Sequence, residues 1–208
     1  VRQKVFGDFN RSEADKVASG INSEFSEIFW FYPSASSSEN DKYVIYNYGE
    51  KVWYFGSLAR TAWLDRGTRA NPLAAGNQYI FNHEIGFDDD GSAMTSFIES
   101  AAIDIGDGDK FTYIRRVIPD LTFLGSTNLS SPQAVFTVKS RRFPGASFDN
   151  TDAGTAIGSI SGEVETFTEQ LHLRSRGRSF AVRVESTALG TKWKLGSPRV
   201  DLRADGRQ

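Results

Sequence analysis

The chain has 208 residues, a formal net charge of -2 and no cysteine, so neither a disulfide framework nor a thiolate metal site can be built from it. A hydrophobic fraction of 39% is low for a globular protein, but 16 Phe, 7 Tyr and 4 Trp make up the deficit, since each aromatic ring removes roughly 150 to 250 Å² from water. No run approaches the roughly 18 to 20 apolar residues of a membrane span, and the charges scattered through Val1 to Asn22 leave no apolar signal-peptide core there.

Arg2 to Phe6 reads as a short strand or the tail of one, and Asn10 or Ser12 ahead of Glu13 to Lys16 reads as an N-capped helical turn. Ser26 to Tyr32 is a strand of aromatic and β-branched residues that Pro33 ends, with enough apolar character to be covered on both faces. Lys42 to Tyr48 and Val52 to Phe55 follow around a turn at Gly49-Glu50, which gives an antiparallel meander. Leu58 to Leu64 is a further strand, Asp65 to Gly76 a loop and Gln78 to Gly86 a strand. Phe87 to Ser92 is a tight acidic turn. Strands are expected over Met94 to Ile105 and, after the turn at residues 106-109, over Lys110 to Val117. Beyond Pro119 come Leu121 to Leu124, a turn at 128-132 and Ala134 to Arg142. Residues 144-162 form a long flexible loop, rich in Gly, Ser, Thr, Asn and Asp.

Glu163 to Arg174 alternates, with Phe167, Leu171 and Leu173 on one face; a hairpin tip at Gly177, where φ is expected to be positive, leads to Phe180, Val182 and Val184. A turn near Gly190 then leads to Trp193 and Leu195. The whole of 1-208 reads as a single all-β region of antiparallel meanders, about a dozen strands long.

Candidate chemistry is sparse. His83-Glu84 opens like a zinc-protease helix but has Phe87 where the second His belongs, and Gly158 to Gly162 has Ile where a nucleophile elbow needs Ser. The acidic clusters Asp88-Asp89-Asp90 and Asp104, Asp107, Asp109 match hairpin turns better than a calcium loop. Glu84, Asp88 or Glu99 could supply a carboxylate pair for sugar cleavage, a pattern that any acidic β protein offers. No cofactor, metal or catalytic residue is expected.

Charge is more informative. Residues 1-109 hold 9 basic and 17 acidic side chains, residues 110-208 hold 15 and 9, so the halves carry opposite signs. That split suits head-to-tail association of identical chains or contact with a polyanion. On the last meander, Arg174, Arg183, Lys192 and Lys194 with His172 fall opposite the apolar face, and Arg176 and Arg178 sit at the turn. A one-sided basic face suits sequence-blind contact with nucleic-acid phosphates or an acidic neighbouring subunit.

FWFYPSASSSENDKYVIYNYGEKVWYFGSLARTAWLDRG, RRVIPDLTF, LRSRGRSFAVRVES and KWKLGSPRVDLR, spread over Asn22 to Arg203, resemble the β-propeller tail-hub proteins of short-tailed bacteriophages, called tail nozzle or packaged-DNA stabilisation proteins. The resemblance implies a virion structural protein with no enzymatic activity, assembled in the host cytoplasm as a hexameric ring beside other tail and adaptor proteins. In such proteins the tube retains the genome and then lets it leave, with non-specific contact to double-stranded DNA. A propeller needs about 4 to 8 four-stranded blades, so a dozen strands correspond to about three blades, as expected of the C-terminal part of a longer polypeptide. The rival reading is a phage tail-tip protein that binds or cleaves glycans, with Trp30, Trp53, Trp63 or Trp193 as stacking platforms.

Overall fold

Runs of aromatic residues build the first sheet of the computed structural model. The structure describes residues 1-104, 108-127, 133-143, 145, 146, 148 and 158-206, and the backbone of 151, 152, 155 and 156. The chain divides into two compact units, Val1–Ile85 and Gly86–Gln208. Both are built from antiparallel sheets, and the protein is all-β.

In the first unit, β1 (Ala18–Asn22), β2 (Glu27–Tyr32), β3 (Lys42–Asn47) and β4 (Val52–Ser57) form a four-stranded meander whose order in space is their order in sequence. One face carries Phe29, Phe31 and Ile45 into a core that Tyr43, Leu58 and Trp63 complete. Trp63 belongs to the next sheet, β5 (Ala62–Leu64), β6 (Leu73–Gly76) and β7 (Tyr79–Asn82), and its ring stacks on Phe29 at 4.7 Å. Gly20 makes that approach possible: a β-carbon there would lie 2.5 Å from the Trp63 ring. The opposite face carries Tyr46 and Trp53, 4.6 Å apart, and Trp30, 6.1 Å from Trp53. A helix, α1 (Arg2–Asp8), is tied to the sheet by Lys4 over the Phe55 ring and by an Asp8–Lys42 ion pair of 2.7 Å. The 3-10 turn Arg11–Lys16 follows, and its Asn10 side chain accepts a hydrogen bond from the Ser12 amide.

The second unit opens with a hairpin, β8 (Asp88–Asp89) and β9 (Ser92–Ala93), whose corner residues Asp90 and Gly91 both have positive φ. It continues with β10 (Ser96–Glu99), β11 (Ile103–Asp104), β12 (Thr112–Ile118), β13 (Leu121–Thr122) and β14 (Ala134–Arg141). Then come β15 (Thr151–Asp152), β16 (Thr155–Ala156), β17 (Ser159–Val164), β18 (Ser175–Gly177), β19 (Ser179–Ser186), β20 (Lys194–Leu195) and β21 (Arg199–Ala204). A five-stranded sheet runs β10, β19, β14, β17, with β11 also on β19; a three-stranded sheet runs β18, β12, β21. Phe136, Val138 and Val184 of the first sheet meet Ile114 and Val117 of the second in one core, so these two sheets are packed on each other.

Several expectations change here. Arg2 to Phe6 is helical, with no strand, and Leu73–Gly76 within the expected loop is a strand that pairs on both sides. Phe167 is 77% exposed because Glu165 to Thr168 is a turn, closed by the Thr168 amide on the Glu165 carbonyl; the alternation resumes only at Leu171. The last strands are no single meander: β18 and β21 join β12, β19 joins β14, and β20 pairs β13. Gly177 is within β18, opposite Thr112, and lies outside the positive-φ set. The expected loop at 144-162 includes the paired β15 and β16 and ends at Ser159, where β17 begins; its residues 144, 147, 149, 150, 153, 154 and 157 lie outside the described residues, as do 105 of an expected strand and 106, 107 and 128-132 of the expected turns.

Candidate functional site

A bulge in β12 lies within an arginine-rich face of the second unit. Leu171 to Gly177 runs antiparallel to β12: Leu171 and Val117 exchange backbone hydrogen bonds of 2.8 and 2.9 Å, and Ser175, Arg176 and Gly177 pair with Ile114, Tyr113 and Thr112. Burial alternates strictly along this segment, with Leu171, Leu173, Ser175 and Gly177 in the core and His172, Arg174 and Arg176 exposed. On the other side of β12 the register steps by one residue between Ile114 and Arg116, so Arg115 is the extra residue of the bulge. Arg116 then opposes Asp201, Ile118 opposes Arg199 and Tyr113 opposes Arg203.

Directly opposed residues share a face, and so do residues two apart on a strand. Arg174, Arg176, Arg116, Arg199 and Arg203 therefore lie on one outward face around Tyr113. Asp201 is the carboxylate among them, 4.0 Å from Arg116, which also donates to Gln170 at 3.1 Å. At the edge Arg176 pairs with Asp205 and lies 4.1 Å over the Phe111 ring; Arg178 lies 4.8 Å from the same ring and donates to the Asp109 carbonyl. Phe111 is buried, so its ring holds two guanidiniums in fixed directions.

The six basic residues singled out from the sequence are thereby separated. Arg174 and Arg176 are on the arginine face and Arg178 is at its edge. Arg183 is on the five-stranded sheet, bonded to Glu185 at 2.8 Å and Glu99 at 3.1 Å and stacked 3.9 Å over Phe97. The hydrogen bonds that Arg183 donates to the Glu185 carboxylate in particular raise the Arg183 pKa. Burial opposes ionisation of Glu99, but bonds from Lys139 and Arg183 outweigh it and hold its carboxyl below the usual range. Lys192 lies 5.3 Å over Phe87, and Lys194 is exposed on β20. Sequence reading missed Arg115, Arg116, Arg199 and Arg203. The spacing of Arg199 and Arg203 by four in a strand was a visible signal of a shared face, but their pairing with β12 was not.

The acidic stretch 86-109 belongs to the same unit as the basic end of the chain. Residues 86-208 hold 15 basic and 16 acidic side chains, so the opposed halves of the sequence largely neutralise one another within one unit. Glu99 with Lys139 and Arg183 is that neutralisation in detail.

The remaining candidates have structural surroundings. Nε2 of His83 accepts from Arg60 Nε at 2.9 Å, and its ring is 5.0 Å from Trp63. Glu84 accepts from buried Asn22 at 3.1 Å, and Asp88 accepts from the Gly190 amide. Among the described residues no group of three or more His, Asp or Glu is arranged to hold a metal ion, and no helix is long and apolar enough to cross a membrane. Of the four Trp, Trp53 is exposed, at 47%, and the others are half-buried. A scan against protein-family models and a search of curated proteins return no match for this chain.

Proposed function

We propose that the chain is a structural component of the tail hub of a short-tailed bacteriophage, a propeller-based part of the tube through which the genome is retained and released. The observation that carries this reading is the β1 to β4 meander, packed by its Phe29 and Phe31 face onto Trp63 of the following sheet. Four antiparallel strands in sequence order, stacked face to face on the next sheet, are how propeller blades are assembled. The longest and most aromatic of the motifs that resemble tail-hub proteins begins at Phe29 and covers most of β2 with β3, β4 and β5. In this reading identical copies form a hexameric ring beside adaptor proteins in the virion, and no catalysis is required. Electron microscopy of the purified protein tests it: a ring with a central hole wide enough for duplex DNA is expected, and a chain that stays monomeric at high concentration overturns it.

A second reading, glycan binding at a tail tip, is favoured by one observation. Trp53 is 47% exposed beside Tyr46 and Trp30, a row of rings on which a sugar could stack.

A further inference from the structure

The arginine face of the β18, β12, β21 sheet has an arrangement that folding alone does not favour. Like charges on neighbouring strands repel, and side chains on adjacent strands are only about 5 Å apart, with about 7 Å between alternate residues of one strand. Among the described residues Arg174, Arg199 and Arg203 have no ion-pair partner, and all three are exposed. A surface that gathers these with Arg116 and Arg176 is destabilised by its own field until something anionic meets it. On the five-stranded sheet of the same unit, by contrast, Arg183 and Lys139 share the Glu99 carboxylate.

The chemistry of the face points to phosphate. Every cation on it is a guanidinium, whose planar fork binds phosphate oxygens in pairs and is more weakly hydrated than ammonium. Phe111 orients Arg176 and Arg178 in advance, and Tyr113 places an aromatic ring between Arg176 and Arg203. Among the described residues the second unit contains no helix, so nothing is available to enter a major groove and read bases. Contacts from such a sheet go to the backbone and carry no sequence information. We propose that this face binds the sugar-phosphate backbone of duplex DNA without regard to sequence. The inference rests on the hub reading in taking duplex DNA as the polyanion; the face itself is independent of it.

The test is fluorescence anisotropy of the 208-residue protein with two 20-base-pair duplexes of unrelated sequence, from 50 to 200 mM salt. About five phosphates neutralised give a slope of about -4.5 in log K against log salt, roughly a 500-fold loss of affinity over that range, the same for both duplexes. Arg199→Gln with Arg203→Gln removes two partnerless cations and is expected to bring the slope to about -2.7, roughly a 40-fold loss. Lysine at both positions keeps the slope. Gln at Lys192 and Lys194, off the face, leaves it unchanged. Thermal melting of each variant confirms that it is folded.

Absence of binding at 50 mM salt overturns the proposal, as does a slope that the Arg199 and Arg203 pair leaves unchanged. If the pair instead abolishes self-association in sedimentation and spares DNA binding, the face is an interface between copies, and the proposal is equally overturned. Microscopy of the same samples separates the two readings. A ring that ignores DNA sinks this inference alone, and DNA binding by a chain that forms no ring sinks the hub reading alone.

Discussion

Gly177 and Arg141 approach so closely that a β-carbon on Gly177 would lie 2.9 Å from the Arg141 carbonyl oxygen, and equally close to the Ser140 β-carbon. The contact is where the chain leaves one sheet for the other: Gly177 pairs with Thr112, and one residue later the Arg178 amide donates to the Arg141 carbonyl at 2.9 Å. Gly177→Ala is therefore expected to destabilise the protein by about 1 to 3 kcal/mol through steric conflict with backbone. A denaturant midpoint unchanged from wild type would mean that the two sheets separate at no cost.

Phe136 and Phe167 make opposite predictions from the same residue type. Phe136 is fully buried on the central strand β14, between β17 and β19, whereas Phe167 is 77% exposed in a turn. Phe136→Ala should cost about 3 to 5 kcal/mol. Phe167→Ala should stay within about 0.5 kcal/mol. Urea unfolding of the two variants measures both, and equal losses would restore Phe167 to the core that alternation assigned it.

That pair also marks how far the sequence could be read. Strands β2 to β4 of the first meander were legible because Phe29, Trp30, Phe31, Tyr43, Tyr46, Trp53 and Phe55 make strands that local pattern alone identifies, whereas β1 was not read, and Asp90-Gly91 is a turn by its own chemistry. Leu73–Gly76 was hidden because Leu-Ala-Ala-Gly has no β-branched or aromatic residue; its place comes from pairing with β5 and β7. Alternation gave the correct faces for Leu171 to Arg174 but not their partner strand, and Arg176, expected at a turn, is within β18. For this reason Arg174 and Arg176 were found while Arg116, Arg199 and Arg203, their neighbours across β12, were not. Chain proximity grouped Arg183, Lys192 and Lys194 with them, and strand pairing separates them.

Acid should stabilise the first unit before it denatures it. Burial pushes the Glu27 carboxyl up, and Glu84 and Glu50 push it further. The folded state therefore holds this proton more tightly than the unfolded chain. The resulting stability is present below the unfolded value near 4.5 and is lost as pH rises through the higher folded value. Three of the four Trp are in this unit, so thermal melting followed by Trp fluorescence reports on it. The midpoint should rise as pH is lowered from neutral toward about 5, and Glu27→Gln should raise the neutral midpoint and flatten that gain. A wild-type midpoint that only falls over this interval would show that Glu27 is as well solvated folded as unfolded.

Trp53 decides between the two functional readings. It lies on β4, which among the described residues pairs with β3 alone, and its ring neighbours on that face are Tyr46 and Trp30. At 47% exposure it should be the residue most open to acrylamide, and Trp53→Phe should remove most of the quenchable emission. In a hub this face serves assembly, so a panel of bacterial surface glycans should leave both the emission and its quenching unchanged. A sugar that stacks on the ring would shift the emission to the blue and protect it from acrylamide. Base and sugar stacking share this aromatic chemistry, so duplex DNA is the necessary control; its bases are already stacked, and it should leave Trp53 untouched while responding to Arg199 and Arg203. Saturable protection by one glycan, absent in Trp53→Phe, would transfer the chain from the hub reading to glycan recognition.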